Sequence, residues 1–302
     1  MTGTLSRRHV LAGLAAVAGT ATHGHAHAGD PAPRIAVTDW AAAESLLAIG
    51  VAPIAVPDTA VYRQWLDELP LPDTVADLGS RTEPNLELLA ALRPERIIVS
   101  SWQRHLVGLF QRIAPTETIT IVSAQKDAFG AARGALAQVA TMAGSPAAAT
   151  GYLAAFDDSL SAFAARLSRR PLPPVYVAVL HENGSQIFAY GPGSWVHEVL
   201  TRLGLRNALK RPTSAFGNAL IDLAHLTETP DAVLLYLDQG ERTRRAERSL
   251  ARSTLWAHLE LVRGGRVHRI PPFYALGGIP SAWRCARLLT AALGGAPDRS
   301  DG

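Results

Sequence analysis

The chain of 302 residues has a single cysteine, Cys285, so it forms no disulfide within itself whatever its redox surroundings. Excess charge of either sign is scarce as well: 29 Lys and Arg face 26 Asp and Glu, a formal balance of +3. Setting aside Arg7 and Arg8, which fall in a segment read below as removable, leaves about +1. A chain so nearly neutral carries no electrostatic footprint for nucleic acid. The apolar run over residues 10–17 is far short of the roughly 20 residues needed to cross a bilayer. Three catalytic or nucleotide fingerprints are also missing: G-x-S-x-G, G-x-x-x-x-G-K-[ST] and H-E-x-x-H. Without a nucleophile motif, metal cluster or cofactor fingerprint, an enzyme is not expected.

Residues 1–28 read as an export signal. Arg7 and Arg8 supply the charged start, residues 10–17 the apolar stretch, and Ala26, His27 and Ala28 a small-x-small cleavage site. The flank SRRHVL, residues 6–11, resembles a twin-arginine signal with Val10 where that pattern prefers Phe, and that route carries proteins already folded. A periplasmic location follows as the expectation. His23, His25 and His27 look like a metal tract, but they precede the cleavage point and are discarded with it. His181, Glu182 and His197 are too scattered to form a zinc site.

The remaining chain reads as alternating strands and helices. Residues 34–38 form a strand, Asp39 caps a helix ended by Gly50, and residues 54–56 form the next strand. Tyr62, Arg63 and Trp65 lie in a proline-bounded segment, a helix is expected over 105–113 and a strand over 118–122. Short connections between such elements imply a parallel sheet covered on both faces. From Ser145 the pattern changes: Pro146 opens a helix in which Leu153, Phe156, Leu160, Phe163 and Leu167 recur every three or four residues. Over 146–168 that helix would be about 34 Å long, enough to cross from one lobe to another. Pro171, Pro173 and Pro174 stop it. A second α/β series follows, with strands over 175–180, 186–190, 233–237 and 267–270, and helices over 194–203, 255–261 and 282–293. The organisation expected is therefore an export signal (1–28), an N-terminal α/β lobe (34–143), an interlobe helix (145–170) and a C-terminal α/β lobe (172–295). Cys285, among Ala282, Ala286 and Leu289, reads as part of a buried helix face. The mixed-sign run over 241–252 reads as a solvated surface.

One stretch draws chemistry to itself: DLGSRTEPNLELLAALRPERIIVS, residues 77–100. Gly79 permits a sharp bend and Pro84 suits a helix start, so the two bracket Arg81 in a loop. Leu86, Leu88, Leu89 and Leu92 give an apolar helical face, and Ile97, Ile98 and Val99 a strand buried on both sides. A lone guanidinium is thus held at the edge of an α/β layer, where open α/β folds present ligand groups.

The two-lobe order, with VYRQWLDELPLPD (61–73), LGSRTEPNLELL (78–89), FAYGPGSWVHEVL (188–200) and RVHRIPPFYALGG (266–278), resembles the periplasmic ferric hydroxamate-binding proteins of ATP-binding-cassette importers. These are class III binding proteins, two α/β lobes joined by a single long α-helix. The resemblance implies a carrier that captures iron(III)-hydroxamate siderophores and delivers them to an inner-membrane permease, with iron held inside the ligand and no cofactor on the protein. It implies Arg81 as the chief hydroxamate contact and Trp65 as a pocket wall. Phe216 and Tyr274 stand where the family has tryptophans, and Asn218 where it has a small hydroxyl residue. Trp102 and Gln103 occupy the loop that elsewhere carries a tyrosine, and Leu276 replaces a second one; Gln103 and Asn218 are candidates to supply the missing hydrogen bonds. Ligand would sit between Arg81 and Trp65 below and Phe216 and Tyr274 above. The class also implies permease docking through one exposed carboxylate on each lobe, for which Glu87 and Glu228 are the candidates, and a monomer is expected.

The chemistry of such a ligand agrees with the residues. A ferric trihydroxamate has three monoanionic donors around Fe(III), hence little net charge and a shell of partly negative oxygens. One Arg fork and several aromatic faces suit it. Other class III ligands compete with this reading: another iron chelate, cobalamin or haem. A ferric catecholate, with about three negative charges, would call for several converging cations, and haem for a Tyr or His axial ligand. A twin-arginine-exported enzyme is the more distant alternative.

Overall fold

In chain order the first half runs β1 (Ile35–Val37), α1 (Trp40–Ala48), β2 (Ala55–Val56), α2 (Thr59–Trp65), β3 (Ala76–Asp77), α3 (Leu86–Ala91), β4 (Arg96–Ser100), α4 (Val107–Phe110), β5 (Thr116–Ile119), α5 (Ala128–Met142) and α6 (Pro146–Leu167). The computed structural model describes residues 33–121 and 127–294. The export segment 1–28 and Val122, the expected end of a strand, lie outside the described residues, as does residue 295.

The first five strands make one parallel sheet in the order β3-β2-β1-β4-β5. Ile35 to Val37 and Ile97 to Val99 are fully buried, as strands covered on both faces should be. At the end of β1, Asp39 caps α1 by accepting the Ala41 N–H at 2.9 Å, as its place in the sequence predicts.

The second half runs β6 (Val175–Leu180), β7 (Gln186–Tyr190), α7 (Trp195–Arg202), β8 (Asn218–Asp222), β9 (Val233–Leu237), α8 (Glu241–Leu250), α9 (Thr254–His258), α10 (Glu260–Arg263), β10 (Val267–Ile270) and α11 (Ile279–Leu293). Its sheet is mixed, in the order β10-β9-β6-β7-β8, with β10, β9 and β6 parallel and β7 and β8 added antiparallel. The fold is therefore two α/β lobes joined by one long helix, α6.

At 22 residues α6 is about 33 Å long. Its Phe156 packs between Phe129 of α5 and Trp283 of α11, at ring separations of 5.9 and 5.7 Å. A single apolar core runs from the first sheet through α1, α5, α6, α7 and α11 to the inner face of the second. Polar ties reinforce it. Glu44 of α1, buried in that core, accepts the Ser281 hydroxyl at 2.5 Å and the Gly278 N–H at the start of α11. Arg284 of α11 reaches Asp67 at 2.8 Å and also pairs with Glu68. So the lobes are joined by packing as well as by chain.

Several elements differ from the sequence reading. The helix expected over 105–113 is a 3-10 turn, Ser101–Leu106, followed by the four-residue α4. The strand expected over 118–122 begins earlier, as β5, because its partner β4 sets the register. The helix expected over 255–261 is broken into α9 and α10 by the extended backbone of Leu259. Tyr62 and Trp65 belong to a helix, α2. Ser145 occupies the cap position of α6, but its side chain makes no capping bond. Helix α5 had no sequence signal: in AFGAARGALAQVATM, alanine and two glycines blur the contrast between apolar and polar faces. Strand β8 was missed as well, since NALID is too short to declare a period. Cys285 is fully buried and its thiol is pushed far up by burial, which removes it as a nucleophile. The run over 241–252 is mostly α8, where Glu241 pairs with Arg244 and Arg248 at 2.8 Å on a solvated face.

Candidate functional site

The Arg81 loop is closed at its base. Gly79, at φ +76°, turns the chain in a region that L side chains rarely adopt, and bridges Pro84 across the loop. Asn85 then caps α3 by accepting the Leu88 N–H at 2.9 Å. Pro84 therefore precedes the helix rather than opening it. On the other side Asp77 accepts the Gly79 N–H at 2.8 Å and the Thr59 hydroxyl at 2.6 Å, tying the loop to α2.

Within this frame the Arg81 side chain is fixed by two neighbours far from it in sequence. Its guanidinium carbon lies 3.8 Å above the Trp40 ring, and its Nε donates to Asp58 Oδ2 at 2.8 Å. Trp40 is fully buried and donates its indole N–H to the Pro57 carbonyl, so the stacking surface is rigid. Asp58 has φ +50° and donates its own N–H to the Gly79 carbonyl at 2.7 Å, which holds its carboxylate beside the guanidinium. The ion pair of Arg81 is with Asp58 and not with Glu83, two residues away in the chain.

Arg81 opens onto a cavity of about 550 Å³ between the lobes. Trp65 and Trp102 line it from the first lobe, and Tyr190, Phe216, Asn218, Phe273 and Tyr274 from the second. Trp65 packs edge-on to Trp40 at 5.9 Å. Phe216 sits at a tight turn before β8 and is 46% exposed, a large aromatic left open to the cleft. The next residue, Gly217, has φ +69°, and a Cβ there would lie 2.4 Å from the Ser194 Cβ, so only glycine fits. The Asn218 amide oxygen accepts the Ser214 hydroxyl at 2.9 Å. Among the described residues that line the cavity, Arg81 and Asp58 are the only formally charged ones, and they form a pair.

Gln103 is a correction. It is fully buried and takes no place on the wall: its amide oxygen accepts the Thr38 hydroxyl and the Ser100 N–H, and its amino group donates to the Thr38 and Arg81 carbonyls. With both ends satisfied inside the protein, it holds the Arg81 backbone in place and cannot stand in for a ligand-facing phenol. Glu87 and Glu228 lie on the exterior, Glu87 in the first turn of α3 and Glu228 beside Arg211 at 2.5 Å.

Asp39, Trp40, Asp58, Tyr190, Leu237, Gln239 and Phe273 went unread as site residues. Trp40 and Asp39 follow a buried strand as a DW pair, which marks a helix cap, but nothing local says that both lie beneath a cleft. Burial pushes the Asp39 carboxyl up, against the opposing pull of Ala41, Tyr274, Trp102 and Arg81. No group of three or more His, Cys, Asp or Glu side chains converges on a metal site among the described residues.

Known proteins share this architecture. The periplasmic binding protein family model covers residues 35–274. The iron(3+)-hydroxamate-binding protein FhuD of Escherichia coli K12 is 32% identical over 293 residues, covering 96% of this chain and 97% of that one. A putative ABC transporter substrate-binding lipoprotein of Bacillus subtilis, YhfQ, is 24% identical over 250 residues, covering 78% of this chain and 75% of that one. Among solved structures, the siderophore-binding protein FhuD of Vibrio cholerae with Fe3+-Desferal bound superposes with a TM-score of 0.82 at 30% identity, over 88% of this chain and 99% of that one. With two α/β lobes, one bridging helix and a match over most of its length, the chain belongs to the periplasmic binding protein family.

Proposed function

We propose that this protein captures iron(III)-hydroxamate siderophores in the interlobe cleft and delivers them to an ABC-type inner-membrane importer. The observation that carries this reading is the charge balance of the cavity. Among the described lining residues the one cation, Arg81, is paired with the one anion, Asp58, and the others are aromatic, apolar or neutral polar. Such a cavity suits a chelate with little net charge and a shell of carbonyl-like oxygens. A chelate with about three negative charges would meet no excess of cations there. Among the described residues no histidine lines the cavity, and of its two tyrosines Tyr274 bonds its hydroxyl to Asp39 and Tyr190 is buried, which disfavours haem.

In this proposal Arg81 donates to hydroxamate oxygens through its terminal amino groups, and Trp65, Trp102, Phe216 and Tyr274 cover the organic linkers. Asn218 adds a polar contact from the second lobe. Iron is cargo, held by the siderophore, and the protein acts by binding rather than catalysis. The continuous core beneath the cleft limits closure to small movements. Residues 1–28 direct export to the periplasm, the carrier works as a monomer, and Glu87 and Glu228 are the docking carboxylates, one on each lobe. The bacillary relative described as an ABC transporter substrate-binding lipoprotein supports the permease partner.

The test is a titration of purified protein with ferrichrome-type, ferrioxamine-type and ferric catecholate complexes, followed by quenching of tryptophan fluorescence. At least one hydroxamate is expected to bind at micromolar or tighter affinity, roughly 8 kcal/mol. Arg81→Ala should weaken it by about 1.5–3 kcal/mol. Catecholate binding tighter than that of every hydroxamate would reject the proposal.

A further inference from the structure

Two aromatic walls of the cleft do not offer the ligand their polar tips. The indole N–H of Trp102, from the first lobe, and the phenol of Tyr274, from the second, donate to the same oxygen, Oδ2 of Asp39, at 3.0 and 2.9 Å. The other oxygen, Oδ1, accepts the Ala41 N–H at 2.9 Å. Asp39 is fully buried where β1 passes into α1, so the strand and the helix cap hold its carboxylate independently of either wall. Moving it would leave a buried polar group without partners, which is costly. Arg81, stacked on the adjacent Trp40, lies 5.3 Å from the Tyr274 ring, so its guanidinium is set against the same anchored group.

We propose that Asp39 is a positioning residue for ligand capture: through Oδ2 it sets Trp102 and Tyr274, one wall from each lobe, at a fixed spacing beside Arg81. The inference rests on the reading of the cleft as the hydroxamate site. With both polar tips turned inward, the chelate meets the ring faces of these two residues, and the directional hydrogen bonds come from Arg81. The phenol at position 274 is then no ligand donor. It is half of a tie between the lobes.

The test compares the full-length protein with its Asp39→Ala, Tyr274→Phe, Trp102→Phe and Arg81→Ala variants and with the Asp39→Ala/Tyr274→Phe double variant, titrated with ferrioxamine B and ferrichrome. Asp39→Ala should weaken binding about tenfold or more, and Tyr274→Phe about threefold or more in the wild-type background but under about twofold once Asp39 is gone. In 15N-tryptophan-labelled protein, the indole N–H resonance of Trp102 should shift in Asp39→Ala. A stability role alone would leave the two substitutions multiplicative, and that result overturns the proposal. If Asp39→Ala does not fold, the single variants decide: threefold weakening in both Tyr274→Phe and Trp102→Phe supports the tie, and wild-type binding in both overturns it. Loss of binding in Arg81→Ala with wild-type binding in Asp39→Ala overturns the positioning role alone. Wild-type binding in Arg81→Ala overturns the cleft reading and this proposal with it.

Discussion

Arg81 Nε lies 2.8 Å from Asp58 Oδ2, so the guanidinium of the cleft is held by an anion 23 residues earlier in the chain. Both side chains are about a quarter exposed, which places the pair at the cavity surface and not in the core. Removing the anion should therefore change what the cleft prefers more than whether the protein folds. Asp58→Asn keeps an acceptor for Arg81 and leaves one uncompensated positive charge. Competition titrations should show the affinity ratio of an anionic ferric catecholate to a neutral hydroxamate rising about tenfold at low salt, less at high salt. An unchanged ratio would mean that the pair does not face the ligand.

Glu44 gives the protein a pH dependence of known sign. Burial holds its carboxyl up at about 8 against an ordinary 4.5, with the Ser281 hydroxyl and Gly278 N–H pulling the other way. Between those two values the folded protein keeps a proton that the unfolded chain gives up. Stability therefore falls as pH rises from about 4.5 to about 8, by an amount on the order of 4 kcal/mol. In Glu44→Gln the amide oxygen can accept from Gly278 and the amino group can donate to the Ser281 oxygen. Melting temperatures of this variant should be flatter than wild type over the window and higher at pH 8; parallel curves for the two proteins would refute the assignment.

The turn that presents Phe216 tolerates no side chain beside it. Gly217→Ala would combine φ +69° with a Cβ 2.5 Å from the Ser194 Cα. A loss of about 2 kcal/mol or more is expected in urea denaturation. Because Gly217 accepts the Gly191 N–H at 3.0 Å, the shift should pass to β7 and weaken hydroxamate binding too. Gly144→Ala, at φ +71° with open space around it, is the control: it should cost less and leave binding unchanged.

The proposed docking role can be tested apart from capture. Glu87 and Glu228 lie outside the cleft, so the double exchange to Ala should abolish siderophore-dependent uptake while the solution affinity stays within about twofold of wild type. Weakened affinity instead would refute a docking role. In the proposed docking role Glu228 would exchange its Arg211 partner for the permease, and Arg211→Ala should leave uptake intact or raise it.

How much of this was legible in the sequence depends on the range of the interaction. Strands β6, β7, β9 and β10 could be read to the residue, because runs such as VYVAVL and VLLYL are bounded by prolines, glycines or charges. The long helix was legible from its three-and-four spacing, and the Arg81 loop from its glycine and proline. The alanine-rich α5 was not, since its small residues bury by close approach and not by a marked stripe. Gln103 was misread because a glutamine in a loop looks free until the carbonyls of Thr38 and Arg81 are brought to it.

The sequence by itself determined two α/β units, a helix between them and a guanidinium held in a tight loop, because these follow from periodicity and backbone constraints within a few turns of chain. Only the tertiary structure decided what surrounds that guanidinium. Asp39 meets Trp102 across 63 residues and Tyr274 across 235, and the ring of Trp40 comes under Arg81 only when β2 pairs with β1 on one side and β3 on the other. Such contacts depend on which faces of distant elements are buried together, and no local pattern of residues records that.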